Sequence, residues 1–143
     1  MTITFPGPNL LVAGYSGDSN FIGSLSANFT HDTTDFAILA RPPVQSITPG
    51  SITTYTVALE PISGFRGAVG LACSGAPADS TCTVSPNPVS LTGTGPKTST
   101  VTLQTTSGVK AGTYKLTLTG TFGSGSPATG GLTHSTSVTL TVR

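Results

Sequence analysis

The sequence predicts an all-β sandwich, and three observations support this prediction. Apolar residues alternate with Thr or Ser in most runs from about residue 35 to residue 142, as in S-T-S-V-T-L-T-V near the end of the chain. Strict alternation places apolar side chains on one face of a strand and hydroxyls on the other. Turn sequences such as T-P-G-S and S-P-N-P separate the runs. The outer faces of both sheets are therefore expected to be neutral and covered with hydroxyl groups.

Length and charge limit the class of protein. The 143 residues suffice for one sandwich of about 100 residues and a further segment of roughly 35. Charged residues make up 8%, the formal net charge is +1, and the six Lys and Arg are scattered. Nucleic-acid binding needs clustered cations, so it is not expected. The apolar runs are too short for membrane insertion, and M-T-I-T-F-P has no signal-peptide pattern, so any export signal is expected outside this chain.

The predicted strands follow the alternation in chain order. R-P-P at 41–43 and S-P-N-P at 85–88 interrupt pairing, because proline has no backbone N–H. Tyr114, directly after A-G-T, is suited to a tyrosine corner. About seven strands separated by turns are typical of an immunoglobulin-like sandwich. The alternating runs cover residues 35–40, resumed at 44–47 after R-P-P, then 51–60, 68–73, the short runs 82–84 and 89–91 on either side of S-P-N-P, 98–105, 113–121 and 132–142.

Several sequence pieces resemble a known family in their order and spacing. They are D-F-A-I-L-A, G-F-R-G-A-V-G-L-A-C-S-G-A-P, T-C-T-V-S-P-N-P-V-S-L and A-G-T-Y-K-L-T-L-T-G. Together they resemble a bacterial immunoglobulin-like repeat of large secreted and cell-surface proteins, so residues 35–143 are interpreted as one such domain. The resemblance implies a non-catalytic spacer, adhesive or assembly module without a shared active site or cofactor. Its implied partners are other copies of itself or neighbouring immunoglobulin-like domains.

Residues 1–34 form a separate segment in this interpretation. V-A-G-Y-S-G-D-S-N-F-I-G-S-L-S resembles the end of a second bacterial immunoglobulin-like repeat type, which closes with a similar hairpin. Strands are predicted at 10–15 and 24–30, but the earlier strands of such a domain are missing and an isolated hairpin is marginal in water. The segment is predicted to pair with a sheet edge of its own chain or of a neighbouring one. Pairing between chains would be strand complementation, which builds head-to-tail oligomers or a filament. A remnant of a neighbouring domain is the other alternative.

The two cysteines indicate the redox setting. Cys73 and Cys82 flank S-G-A-P-A-D-S-T, whose turn residues let two sulfurs meet across the ends of neighbouring strands. Without His or acidic partners at metal-ligand spacing a zinc site is not expected. A disulfide is favoured over two buried thiols; it would stabilise the fold by roughly 2–3 kcal/mol and imply an oxidising, extracellular or cell-surface location.

The remaining candidates are weak and each has a simpler alternative. Asp18 and Asn20, with Ser19 between them, offer oxygens to a calcium ion, but an asparagine/aspartate turn explains the same residues. His31 and His134 lie in different segments and are interpreted as surface residues. No G-x-S-x-G elbow is present and the five acidic residues are scattered, so an enzyme is not expected.

One alternative function belongs to another class. Phe65 and Phe122 lie in predicted loops and would, if exposed, form a stacking platform for sugars. Tyr55 and Tyr114 fall on inward positions and are interpreted as core residues. The alternative is thus a carbohydrate-binding module accessory to a secreted hydrolase, with extracellular polysaccharide as its partner.

Overall fold

The computed structural model describes residues 7–125 and 130–143, and the regular secondary structure of these residues is entirely β-strand. The all-β prediction is therefore confirmed. In chain order the strands are β1 (Gly7–Leu11), β2 (Gly14–Gly17), β3 (Ile22–Leu25), β4 (Phe29–Thr33), β5 (Asp35–Arg41), β6 (Val44–Ile47), β7 (Ile52–Ile62), β8 (Arg66–Ser74), β9 (Ser80–Ser85), β10 (Val89–Thr92), β11 (Lys97–Thr105), β12 (Gly112–Phe122) and β13 (Leu132–Val142).

Strands β5 to β13 form two sheets of a sandwich. One sheet has the order β5-β7-β11-β9 and the other has the order β10-β8-β12-β13-β6. Neighbours are antiparallel except β6 and β13, which run parallel. The sequence predicts about seven strands, whereas the described residues of the sandwich contain nine. Prolines explain the difference, because a proline-containing segment separates β5 from β6 and β9 from β10, and the two strands of each pair join different sheets.

The core lies between the two sheets and follows the alternation in the sequence. In β7, for example, Tyr55, Val57 and Leu59 are almost completely buried while Thr54 and Thr56 face outward. Burial of one such side chain stabilises the fold by about 1.5–3 kcal/mol. The other buried apolar residues are Phe36, Ala40, Phe65, Val69, Leu71, Val89, Leu91, Val101, Leu103, Val109, Leu116, Leu118, Val138, Leu140 and Val142.

A side chain replaces strand pairing where the chain crosses from one sheet to the other. The ladder between β5 and β7 ends at the pair of Arg41 with Thr56, before the chain enters β6. Beyond that point the Gln45 side-chain amide donates a hydrogen bond to the carbonyl of Thr54, at 3.3 Å. The carbonyl of Thr54, which lies beyond the end of the ladder with β5, thus keeps a hydrogen-bond partner. Nearly all backbone polar groups in folded proteins have one.

Two tyrosine hydroxyls donate hydrogen bonds to backbone carbonyls. Tyr114 donates to the carbonyl of Lys110 at 2.9 Å, which confirms the predicted tyrosine corner. Tyr55, on β7, donates to the carbonyl of Thr139, on β13, at 3.2 Å, and so connects the two sheets through the core. Burial raises the pKa of Tyr55 to about 12, because the phenolate would lose its hydration.

The first four strands form one long hairpin with an irregularity in each arm. β1 pairs with β4 and β2 pairs with β3, all antiparallel. The arms are interrupted at residues 12–13 and 26–28, where Ser26 donates its N–H to the carbonyl of Ala13 and accepts the N–H of Ala13 on its hydroxyl. The predicted strands at 10–15 and 24–30 are therefore each divided in two. Within the described residues, none of these four strands pairs with a strand of the sandwich.

Candidate functional site

The residues considered as calcium ligands form the turn at the hairpin tip. A carboxylate oxygen of Asp18 accepts the backbone N–H groups of Asn20 and Phe21, at 2.8 and 2.9 Å. The Tyr15 hydroxyl also bonds to this carboxylate and lowers the pKa of Asp18, together with the two N–H groups, while the bond raises the pKa of Tyr15. Asn20 takes part through its backbone N–H, as in an asparagine/aspartate turn. The turn alternative describes this site, and the calcium candidate gains no support.

Metal-ligating side chains do not gather elsewhere in the part of the chain that the structure describes. Among the residues whose side chains the structure describes, no group of three or more His, Cys, Asp or Glu could hold an ion. The same residues include no helix long and apolar enough to cross a membrane.

The aromatic platform predicted at Phe65 and Phe122 is not formed. Phe65 is only 3% exposed, and its ring centroid lies 5.6 Å from that of Phe36 and 5.0 Å from that of Phe122. Phe122 is partly buried and packs edge-on against Phe65, next to Gly67, where an added Cβ would overlap its ring. The exposure on which the sugar-binding alternative depended is absent at Phe65, because the turn after β7 directs its ring back into the core.

His134 has a partner that the sequence did not reveal. Its Nε2 lies 2.7 Å from Oδ1 of Asp35, which also accepts the N–H of Phe36. The imidazole packs edge-on against the ring of Phe36, with centroids 4.9 Å apart. Asp35 and His134 stand on strands of different sheets, so the pair joins the sheets at one edge. Ninety-nine residues separate them, which is why no local motif indicates the contact; the side chain of His31 lies outside the described residues.

The two cysteines form a disulfide between the sheets. Cys73 of β8 and Cys82 of β9 are bonded, with their Cα atoms 6.3 Å apart. The sequence placed them at the ends of neighbouring strands, but β8 and β9 belong to different sheets and are not neighbours in either. Both residues are partly buried against the core. The bond therefore ties one sheet to the other besides closing the loop between them.

Among the shallow grooves on the surface of the described residues, two are lined mainly by polar side chains. One, of about 350 Å³, is lined by Asp79, Ser80, Thr81, Gln104 and Thr106. The other, of about 450 Å³, is lined by Lys115, Thr117, Ser135, Thr136 and Ser137. Neither set contains an aromatic ring or two opposed titratable groups. Their hydroxyl and amide groups offer hydrogen bonds to a neutral polar ligand and no base–nucleophile pair.

Exposed apolar side chains concentrate on the hairpin. Ile22 is 94% exposed and Leu25 78% exposed, although both lie in a paired strand. We call the exposed side chains of Leu10, Val12, Tyr15, Phe21, Ile22 and Leu25 the hairpin apolar surface. On the sandwich, Leu39, Val44 and Ile52 are the large apolar residues found exposed among the described positions. An apolar concentration of this kind marks an interaction surface more often than a solvated one.

Comparison with known proteins finds solved structures whose fold is similar to that of this chain. No protein-family model and no curated protein matches the chain. A structure of domains 4 and 5 of the S-layer protein SbsC matches with a TM-score of 0.53 and 15% identity, over 96% of this chain and 65% of that one. Domains 1–6 of SbsC match with a TM-score of 0.49 and 18% identity, over 94% of this chain and 16% of that one. A PapD-like domain of human CEP192 matches with a TM-score of 0.47 and 16% identity, over 74% of this chain and 83% of that one.

These comparisons bear on architecture. At 15% identity the likeness to SbsC domains 4 and 5 is one of fold alone, and this chain spans about two thirds of that two-domain structure. With the sheet orders described above, the likeness agrees with an immunoglobulin-like β-sandwich, the fold class that the sequence predicts. The chain therefore has the fold of domains found in a surface-layer protein.

Proposed function

We propose that this chain is a non-catalytic structural module of an extracellular or cell-surface protein. The observation that carries the proposal is the closed sandwich, whose two sheets are joined by a disulfide and covered outside by Thr and Ser. A disulfide is suited to an oxidising compartment. The fold likeness to S-layer domains supports the same role, although fold alone does not determine function.

We further propose that the chain comprises two parts. Residues 35–143 form the immunoglobulin-like domain of a bacterial repeat, which would space or link other parts of a larger protein. Residues 1–34 form a partial unit of a second repeat type, which would engage other strands by complementation. The separate pairing of β1–β4 and of β5–β13 supports this division. A two-stranded unit needs further strands to be stable, which supports the role in assembly.

The rival function, carbohydrate binding, loses its original support. It relied on exposed Phe65 and Phe122, and both rings lie against the core. The groove at Asp79 remains as a polar surface. A polysaccharide pull-down and a glycan array test the rival, and we expect no binding. Micromolar binding that is lost in Asp79→Asn but kept in Glu60→Gln, a matched change of another exposed acid, would contradict the structural role.

A positive test uses mechanical unfolding, because a spacer in a surface layer must carry tension. Pulled between its ends, the sandwich should unfold in one step, since its strands share one core. The disulfide spans nine positions and holds its Cα atoms 6.3 Å apart, so reduction should lengthen the released chain by about 25 Å at roughly 3.3–3.6 Å per residue. Gradual extension without a distinct unfolding event would argue against a tension-bearing module.

A further inference from the structure

The hairpin and the sandwich differ in where the chain enters and leaves them. In the hairpin, Gly7 at the start of β1 pairs with Thr33 at the end of β4, so the chain enters and leaves at the same end. In the sandwich, Asp35 at the start of β5 meets His134 near the start of β13. The chain leaves after Val142, at the other end of β13. Tension along the chain therefore acts on the two parts in different directions relative to their strands.

In the hairpin, tension pulls the two arms apart. The hydrogen bonds of an antiparallel pair lie across the strands. A force that separates the two arms at their base therefore loads the outermost pair first, and the next pair only after the first has broken. Each such bond contributes only about 0.5–1.5 kcal/mol net. The hairpin thus opens one residue pair at a time.

Little buried surface opposes this opening. Ile22 and Leu25 are exposed although the hairpin is closed, so opening returns little apolar surface to water. In the described part of the chain, the four hairpin strands pair with one another and with no strand of the sandwich. A two-stranded unit of this kind is marginally stable at best in water. A small force is therefore enough to open the hairpin, and it can close again when the force falls.

The sandwich takes the same tension along its strands. β6 and β13 run parallel, from Val44 opposite Thr139 to Ile47 opposite Val142. Tension draws β6 toward its beginning and β13 toward its end, so the strands have to slide past each other and all bonds of the ladder carry load together. Tension reaches β6 through β5, whose seven residue pairs with β7 are loaded lengthwise in the same way.

Buried side chains add to the resistance of the sandwich. On β13, Val138, Leu140 and Val142 are at most 2% exposed. The Tyr55 hydroxyl of the opposite sheet also holds the carbonyl of Thr139, at 3.2 Å. Sliding of β13 would take these side chains out of the core, and burial of each one stabilises the fold by about 1.5–3 kcal/mol. The sandwich therefore withstands a higher force than the hairpin does.

We propose that the chain responds to tension in two stages, which rests on the proposed structural role and adds how its two parts carry load. The hairpin opens at low force and lengthens the molecule, and the sandwich keeps its fold until a higher force shears β6 from β13. Gly7 and Thr33 lie 26 positions apart and are paired in the closed hairpin. Opening should therefore add about 85 Å, at roughly 3.3–3.6 Å per residue.

Single-molecule extension of the full chain, held at its two ends, tests the proposal. We expect a reversible lengthening of about 85 Å at low force, followed by a separate unfolding step of the sandwich. Gly17→Val should remove the first step, because Gly17 has a φ of 84° and the new Cβ would lie 2.7 Å from the backbone N of Gly23. Gly95→Val, a matched change at a φ of 65° with nothing within 4 Å, should keep both steps.

Two proline variants of β6 test the second stage. In the parallel register the N–H of Gln45 faces β13 and that of Val44 faces away from it, and proline has no N–H. Gln45→Pro should lower the force of the second step, whereas Val44→Pro should leave it nearly unchanged. Gln45→Ala keeps the N–H and controls for the side-chain bond to Thr54. The first step should be the same in all three variants.

Two results would overturn the proposal: no lengthening before the sandwich unfolds, or equal second-step forces in Gln45→Pro and Val44→Pro. The first result is read from the original chain, so it decides even where a proline variant does not fold. In either case a sandwich that unfolds in one distinct step leaves the structural role standing. Gradual extension of the sandwich would instead contradict the structural role, even where the hairpin opens as expected.

Discussion

The side-chain amide of Asn87 pairs with the backbone of Leu71 as a strand residue would. Its Oδ1 accepts the N–H of Leu71 at 2.8 Å, and its Nδ2 donates to the carbonyl of Leu71 at 2.8 Å. The register of β10 on β8, with Val89 opposite Val69, places position 87 opposite Leu71. Asn87 stands between Pro86 and Pro88, which cannot donate, so its side chain continues the ladder there.

Asn87→Ala should destabilise the fold, because both polar backbone groups of Leu71 lose their partner. Such losses cost about 1–3 kcal/mol. Asn87→Asp should also destabilise the fold, since it keeps the acceptor for the N–H of Leu71 but sets a second carboxylate oxygen against the carbonyl oxygen of Leu71. Gln104→Ala, a change of an exposed polar residue on β11, should change stability by less than about 0.5 kcal/mol. Urea denaturation measures all three. Equal stability of Asn87→Ala and Gln104→Ala would show that the two bonds contribute nothing.

Reduction of the Cys73–Cys82 bond should lower the melting temperature. The bond joins residues nine positions apart, and the chain-entropy model assigns about 2–3 kcal/mol to such a loop. Intact-mass spectrometry of the unreduced protein should show two hydrogens fewer than the reduced chain. Cys73→Ser with Cys82→Ser should melt like the reduced protein. Rapid alkylation of both thiols in native, unreduced protein would contradict the bond.

Gly75→Ala should be far more destabilising than Gly95→Ala. Both glycines have a positive φ, 79° and 65°, which costs an alanine about 1–2 kcal/mol. At Gly75 the new Cβ would also overlap the carbonyl oxygen of Lys115, whereas nothing lies within 4 Å at Gly95. We expect a loss above about 3 kcal/mol at Gly75 and about 1 kcal/mol at Gly95. Similar melting temperatures for the two variants would disprove the close approach.

The difference in free energy of unfolding between the original protein and the Tyr55→Phe variant should become smaller as the pH rises from 10 to 12. Burial raises the folded-state pKa of Tyr55 from 10.0 to about 12, so its contribution is fully present below pH 10 and is lost as the pH approaches 12. At pH 7 the variant should be less stable by about 1 kcal/mol, because the bond to Thr139 is missing. Guanidinium titrations at several pH values measure the difference. A gap that stays constant up to pH 12 would contradict the raised pKa.

A chain that starts at Thr34 should fold and melt within a few degrees of the full chain. Every residue of the buried core belongs to β5–β13 or to the loops between them. The proposed division at residue 34 therefore removes no core side chain. Differential scanning calorimetry at low concentration, where association is negligible, gives the comparison. Failure of the shorter chain to fold would show that the hairpin is part of the same folding unit.

The alternation in the sequence was sufficient to locate the strands. The run at 113–121 predicted β12, observed at Gly112–Phe122, and the run at 51–60 predicted β7, observed at Ile52–Ile62. Inward positions were also correct for Tyr55, Leu116 and Leu118. This information is local, because neighbouring side chains on a strand point to opposite faces whatever the strand is paired with. Fold class and core residues in strands follow from it.

Only the tertiary structure decided which sheet each strand joins and which distant residues meet. Alternation is the same in either sheet, so it could not place β9 and β10 in different sheets or predict that Cys73 and Cys82 bridge them. It carries no information about turns, and Phe65 therefore looked exposed although it is buried. The contact of Asp35 with His134 depends on two strands that are far apart in the chain. The sequence alone thus determined the strands and their faces, while the closing of two sheets around one core determined the contacts among them.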